Sequence, residues 1–211
     1  VISALSIVTP PATEPVTLAL AKQHMRIDNT ADDNLIPTYI TAARTVIEQY
    51  LGRALISQQL LWTVANSSPP GGWPLMSIST NLFVFPQWFN LQMLGNRPLT
   101  LPRQPVISVD QVGIGQWSGA DTVLETSAYG YNINNGRFEL FGPSGFVIDG
   151  HLDITFTAGY GATGASVPGP IVQAILMMTM ALYERRGDDG GEMPPVVEAL
   201  LSPYRLISFG D

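Results

Sequence analysis

The sequence predicts an α+β protein: a four-helix bundle formed by the N- and C-terminal helices, with a β-rich insertion lobe. Three observations predict it. Apolar residues recur at three-and-four spacing near the start of the chain and again after Pro168. The stretch between reads in short alternating runs broken by Gly, Pro and Asn. Helices and strands are segregated along the chain, which argues against a parallel βαβ arrangement.

The elements follow in order. Val1 to Pro15 carries Pro10, Pro11 and Pro15 and reads as an extended arm. Thr17 has the chemistry of an N-cap, so Leu18 to Arg26 reads as a short helix, followed by a polar break at Asp28, Asn29 and Thr30. Leu35, Ile36, Tyr39, Ile40, Ala43, Ile47, Tyr50 and Leu51 form one apolar stripe, the clearest helix of the chain. Pro37 is tolerated only in its first turn, which places the start near Asp32 or Asp33, where carboxylates favour the helix dipole. Gly52 is the natural stop.

Strands are expected at Gln58 to Val64, Val106 to Val112, Gly130 to Ile133, Arg137 to Leu140 and Leu152 to Thr157. Asn134, Asn135 and Gly136 mark a hairpin turn. Ser67 to Thr100 reads as a long excursion. Pro170 suits the first turn of a helix running to Arg186, apolar on most faces, and Gly187 to Glu192 is a polar loop. Pro194 and Pro195 open a last helix, Val196 to Leu201, which Pro203 stops. The expected division is an arm over 1–16, a bundle from 17–55 and 166–203, an insertion over 56–165 and a tail over 204–211.

Composition limits the function. With 45% hydrophobic and 13% charged residues, the 211-residue chain is too apolar to be disordered. Seventeen acidic against ten basic residues leave a net charge of −7, which does not supply the cations that grip phosphates. Such a chain can still line a channel through which DNA passes, since like charge discourages sticking. The absence of cysteine excludes disulfides, thiolate zinc sites and cysteine nucleophiles. Val1 to Pro15 has no Lys or Arg and does not read as a secretory signal. Ile171 to Tyr183 is too short to span a bilayer, so no membrane association is expected.

Chemistry-bearing motifs are few. Gly159, Gly161 and Gly164 match GxGxxG, but Pro168 intervenes before the next helix and no second parallel strand follows, so a turn is the expected role. His24 and His151 lie far apart and start no metal-binding pattern; they read as a polar-face helix residue and a strand-edge residue. Asp32 with Asp33 and Asp188 with Asp189 read as a helix start and a solvated loop. Met177, Met178 and Met180 fit core packing better than an adaptable binding face. No nucleophile elbow or phosphate-binding Gly-Lys-Ser/Thr occurs, so no catalytic, cofactor or metal residue is assigned.

Several ordered blocks carry a resemblance. "TPPATEPVTLALAKQHMRID" (Thr9 to Asp28), "DDNLIPTYITAARTVIEQYLGRAL" (Asp32 to Leu55), "LPRQPVISV" (Leu101 to Val109), "ITFTAGYG" (Ile154 to Gly161), "VPGPIVQAILMMTMALYERR" (Val167 to Arg186) and "VEALLSPYR" (Val197 to Arg205) together resemble the head–tail connector (adaptor) family of long-tailed phages and gene-transfer particles. Ser67 to Thr100 departs from the family, being longer and more aromatic. The resemblance implies a virion neck protein, assembled in the host cytoplasm as a ring of twelve subunits. It would dock on the portal protein, receive the next neck or tail protein on its other face, and leave a central DNA channel.

The resemblance also implies that the C-terminal segment reaches the portal. Tyr204, Arg205, Leu206, Ile207 and Phe209 are the expected portal-binding residues. Apolar anchors of this kind contribute about 1.5–3 kcal/mol each when buried, before ordering costs. The alternative is that the tail folds back on its own bundle. Two other functions compete: a different neck or tail protein (a stopper or tail terminator), which the helices at both ends disfavour, and a ligand-binding module using Trp73, Trp88 and Trp117 of the β-lobe.

Overall fold

A computed structural model describes residues 2–65, 99–116, 121–140, 150–185 and 193–206. The chain divides into two compact units. A helical unit draws on Thr9–Gln58, Arg103–Pro105 and Ala158–Asp211, and a sheet unit on Val1–Val8, Gln59–Pro102 and Val106–Thr157. The α+β class read from the sequence is borne out.

The helical unit contains α1 (Leu18–Met25), α2 (Ile36–Leu51), α3 (Gly169–Arg185) and α4 (Pro195–Leu201). The Thr17 hydroxyl caps α1 by accepting the Leu20 N–H at 3.2 Å. Gly52, at φ 66°, ends α2 in the left-handed conformation that glycine adopts without strain. α3 packs against α1, α2 and α4. Ile36, Ile40, Ala43, Ile47 and Leu51 of α2 share one core with Ile171, Ala174, Ile175 and Met178 of α3 and with Val197 and Leu201 of α4. Met178 therefore fills core, as its spacing suggested.

The α2 helix begins at Ile36, after a turn over 31–35, and not at Asp32 or Asp33. Those carboxylates are used otherwise. Asp33 takes Lys22 of α1 at 2.6 Å, and Asp32 accepts the Tyr183 hydroxyl of α3 at 2.5 Å. They tether neighbouring helices, and a helix-dipole role is not needed to account for them.

A polar cluster is buried beside this core. Arg44 bridges Glu14 and Glu48, at 2.8 Å to each. Glu48 also accepts the Leu55 N–H at 2.8 Å and the Gln58 amide at 3.1 Å. The Arg103 guanidinium donates to the Glu48 carbonyl. Burial pushes the Glu48 carboxyl above its ordinary 4.5, and the Leu55 N–H, Arg44 and Arg103 pull it only part of the way back.

The sheet unit holds a five-stranded sheet in the order β1 (Ile2–Thr9), β2 (Gln58–Ala65), β8 (Gly150–Ala158), β4 (Val106–Gln116), β5 (Thr122–Val123). A three-stranded sheet has the order β3 (Leu99–Thr100), β7 (Arg137–Leu140), β6 (Tyr129–Asn132). The hairpin at Asn134, Asn135 and Gly136 joins β6 to β7, with Asn132 opposite Arg137 and Gly136 at φ 65°. Leu60, Val64, Val112, Ile114, Leu152, Ile154 and Phe156 are buried within this unit.

Gln59 of β2 and Thr157 of β8 alternate with these buried residues and lie on the other face. Asp110 there accepts hydrogen bonds from Gln59 (2.9 Å), Ser108 (2.7 Å) and Thr157 (2.8 Å), tying β2, β4 and β8 together. Partial burial alone would raise the Asp110 pKa, but these three donors outweigh it and hold the carboxyl below its ordinary 3.8.

One expectation changes. Residues 2–9, read as part of an extended arm, are extended but form the edge strand of the sheet. The paired prolines Pro10 and Pro11 follow this strand and do not interrupt it.

Candidate functional site

The portal-binding residues expected from the sequence begin where α4 ends. A 3-10 turn, Ser202–Tyr204, carries the chain to the C-terminal end of α2. The Tyr204 carbonyl accepts Arg53 Nε at 2.6 Å, and the Leu206 N–H donates to the Leu51 carbonyl at 3.0 Å. Leu206 also lies over Gly52, its Cβ 3.6 Å from where a side chain on that glycine would begin. The Arg205 guanidinium stacks over the Tyr50 ring, 5.1 Å from its centroid, while the Tyr50 hydroxyl donates to Glu198 at 3.2 Å. Burial and then the Glu198 carboxylate push the Tyr50 hydroxyl above its ordinary 10.0, and Arg205 partly offsets them.

The structure thus brings Tyr204, Arg205 and Leu206 together on the helical unit, as the root of the tail. Ile207 and Phe209 lie outside the described residues. Arg53 and Tyr50, which hold the root, were not singled out in the sequence. The helical spacing of Tyr50 was visible, but its partner 155 positions on was not.

A second surface was missed altogether. β1 is an edge strand whose side chains are largely exposed, with Ile7 at 59% and Val8 at 52% exposure. Its sequence, ISALSIVT, has no charge, proline or glycine to blunt an edge, and among the described residues no strand lies on its outer side. At the opposite edge β5 covers only part of β4, pairing with Gly113 and Ile114. Among the described residues, Val106 to Gln111 of β4 have no strand beside them on that side.

The remaining candidates resolve as follows. Gly159 and Gly164 are accounted for by close packing. A Cβ on Gly159 would fall 2.5 Å from the Ser57 nitrogen, and one on Gly164 would fall 2.2 Å from the Pro15 carbonyl oxygen. The Ser57 N–H donates to the Gly161 carbonyl at 2.9 Å, so this loop is stitched to residues 55–57 rather than opening a helix. His151 sits on the interior strand β8 rather than at a sheet edge. Trp73, Trp88 and Trp117, the 67–98 part of the excursion, and Asp188 with Asp189 lie outside the described residues. No helix among the described residues is long and apolar enough to cross a membrane.

Comparison with known proteins places these features. The family model of phage gp6-like head-tail connector proteins matches residues 15–82, the span that includes α1, α2 and β2. Three solved structures share the fold over nearly the whole chain. A chain in the virion of a native gene transfer agent particle aligns with a TM-score of 0.71 at 25% identity, covering 97% of this chain and 96% of that one. Chains in the neck of an empty gene transfer agent particle computed with C6 symmetry and in the neck of a native one computed with C12 symmetry align at 0.68 and 0.64. Both are 24% identical and cover 98% of this chain and 97% of theirs. No curated protein matches the chain significantly. The resemblance to head–tail connectors carried by the sequence blocks is borne out.

Proposed function

We infer that the chain is a head–tail connector, a structural rather than catalytic part of the neck of a phage-like particle. The observation that carries this reading is the agreement of the connector match over residues 15–82 with a whole-chain likeness to neck and virion chains. In finer terms, twelve copies form a ring that docks on the portal protein, receives the next neck or tail protein, and leaves a channel for DNA. The C12 and C6 symmetries used for the similar necks support a ring, and C12 supports twelve copies. Among the described residues of the sheet unit the only basic side chain besides His151 is Arg137, and it is paired with Glu139 at 2.8 Å, so this unit has little with which to hold passing DNA. The neck is the site of action, with assembly in the host cytoplasm.

The two edges of the five-stranded sheet suit ring closure. A ring needs a heterologous contact, in which one patch of a subunit meets a different patch of the next. The open β1 edge of one subunit and the partly open β4 edge of its neighbour are two such patches, and strand addition supplies main-chain hydrogen bonds between them. Replacing Ile7 and Val8, both more than half exposed, with lysine in one variant places two charges on that edge. Light scattering is expected to show the intact protein as a ring and the double variant as a monomer with unchanged circular dichroism. A double variant that still forms the ring removes β1 from the interface.

Portal docking is assigned to Tyr204, Arg205, Leu206, Ile207 and Phe209. Arg53, Leu51 and Tyr50 hold the root, which fixes where the tail leaves the subunit and reduces the ordering cost of binding. Repetition around the ring multiplies each contact. Truncation after Leu206 is expected to leave the ring intact and abolish co-sedimentation with purified portal. Undiminished portal binding by the truncated ring would remove the tail from this role.

A further inference from the structure

The polar face of the five-stranded sheet carries a group of side chains that the connector reading does not use. His151 and Asp153 are two residues apart on β8, so they point to the same face. β4 lies between β8 and β5. Gly113 pairs with Val123 and Ile114 with Thr122, and one step further along this register Asp121 stands opposite Gly115. Asp121 thereby shares one side of the sheet with His151 and Asp153, which lie 30 and 32 positions on. Their ligand-type atoms all lie within 4.8 Å of one another.

Gly115 makes this convergence possible. A Cβ there would fall 2.1 Å from His151 Cε1 and 2.2 Å from Nε2, so the imidazole lies across β4 in the space where any other residue would have its side chain. That brings the ring from β8 towards Asp121 beside β5. Asp153 is also aimed: its Oδ1 accepts the Thr63 hydroxyl at 2.6 Å, which leaves Oδ2 facing His151 Nε2 at 3.4 Å. A carboxylate held by one oxygen with the other turned to a histidine matches the supporting shell of a metal ligand.

We propose that Asp121, His151 and Asp153 form a divalent transition-metal site on the sheet unit. One imidazole and two carboxylates suit Zn²⁺ or Mn²⁺ better than Ca²⁺ or Mg²⁺, which favour all-oxygen shells. Ligand atoms around such an ion stand about 3–4.2 Å apart, given metal–ligand distances near 2.1 Å, so the observed span of up to 4.8 Å needs a small closure. The site is partly exposed, which leaves its remaining positions to water or to a group from another molecule. Bound metal would pin the start of β5 to β8 across β4, at the edge where β5 covers only part of its neighbour.

The chain has only two histidines, so His24 serves as an internal control. Substoichiometric Mn²⁺ added to the full-length protein is expected to broaden the imidazole proton resonances of His151 and leave those of His24 sharp. Zn²⁺ is expected to raise the unfolding midpoint of the wild type but not of Asp121→Asn, His151→Gln or Gly115→Ala. Thr63→Val should bind roughly 10–100-fold more weakly, because it frees the Asp153 carboxylate to turn. Equal broadening of both histidines, no broadening at all, or a His151→Gln variant that binds as tightly as wild type would overturn the proposal and leave an ordinary His–Asp contact. Should a variant fail to fold, the resonances of the wild-type protein alone decide the matter.

Discussion

Arg44→Ala is expected to lower the free energy of unfolding by about 3–5 kcal/mol, the usual result of removing one partner from a buried ion pair. Arg44 and Glu48 are both less than a tenth exposed. Without the guanidinium, Glu48 retains the Leu55 N–H, the Gln58 amide and a more distant Arg103, but loses its direct charge partner. Glu14 loses its ion-pair partner as well and keeps the Thr41 hydroxyl, at 2.9 Å, as a link from α2 to the segment before α1. Urea unfolding followed by circular dichroism measures the change; a loss below 1 kcal/mol would mean that the pair relaxes to solvent.

The same cluster sets a pH dependence. The folded carboxyl of Glu48 titrates above its ordinary value, so the folded state binds this proton more readily than the unfolded one. Its titration therefore adds stability that is complete below 4.5 and is lost as pH rises through the folded pKa. Glu48→Gln keeps a hydrogen-bonding group and removes the titration, so its stability should lack that decline over the same window.

Gly159→Val is expected to cost about 2–6 kcal/mol, combining backbone strain with overpacking. Gly159 has φ 143°, a conformation that a β-branched residue avoids, and a side chain there would meet backbone atoms of Ile56 and Ser57 at 2.5–2.7 Å. These neighbours are held by the bonds from Ser57 to Gly161 and from Tyr160 to Leu55, so they cannot swing aside as a flexible side chain would. Gly169→Ala is the control: nothing lies within 4 Å of its new methyl group, and it should be tolerated. Thermal unfolding of the two variants side by side distinguishes local crowding from a general intolerance of glycine replacement.

Much of the helical unit was legible in the sequence because helix formation is written in local spacing. The stripe from Ile36 to Leu51, the Thr17 cap and the Gly52 stop each depend on residues within a few positions of one another. The ordered connector blocks were legible for a different reason, since they were matched as a pattern and not deduced from physics. The strands β2, β4, β6, β7 and β8 were visible as alternating runs, but alternation does not say which strand lies beside which.

What the sequence determined by itself was the class of the fold, its helices and most of its strands, the lack of a cation supply for DNA and the likeness to connectors. Tertiary structure alone decided that residues 2–9 complete a sheet whose next strand begins 49 positions after that segment. It also decided that Tyr204, Arg205 and Leu206 are fastened to the end of α2, and that Asp121, His151 and Asp153 meet across Gly115. Each of these depends on contacts between residues distant in the chain. Their formation rests on the whole fold ordering those segments together, and no short window of sequence contains that information.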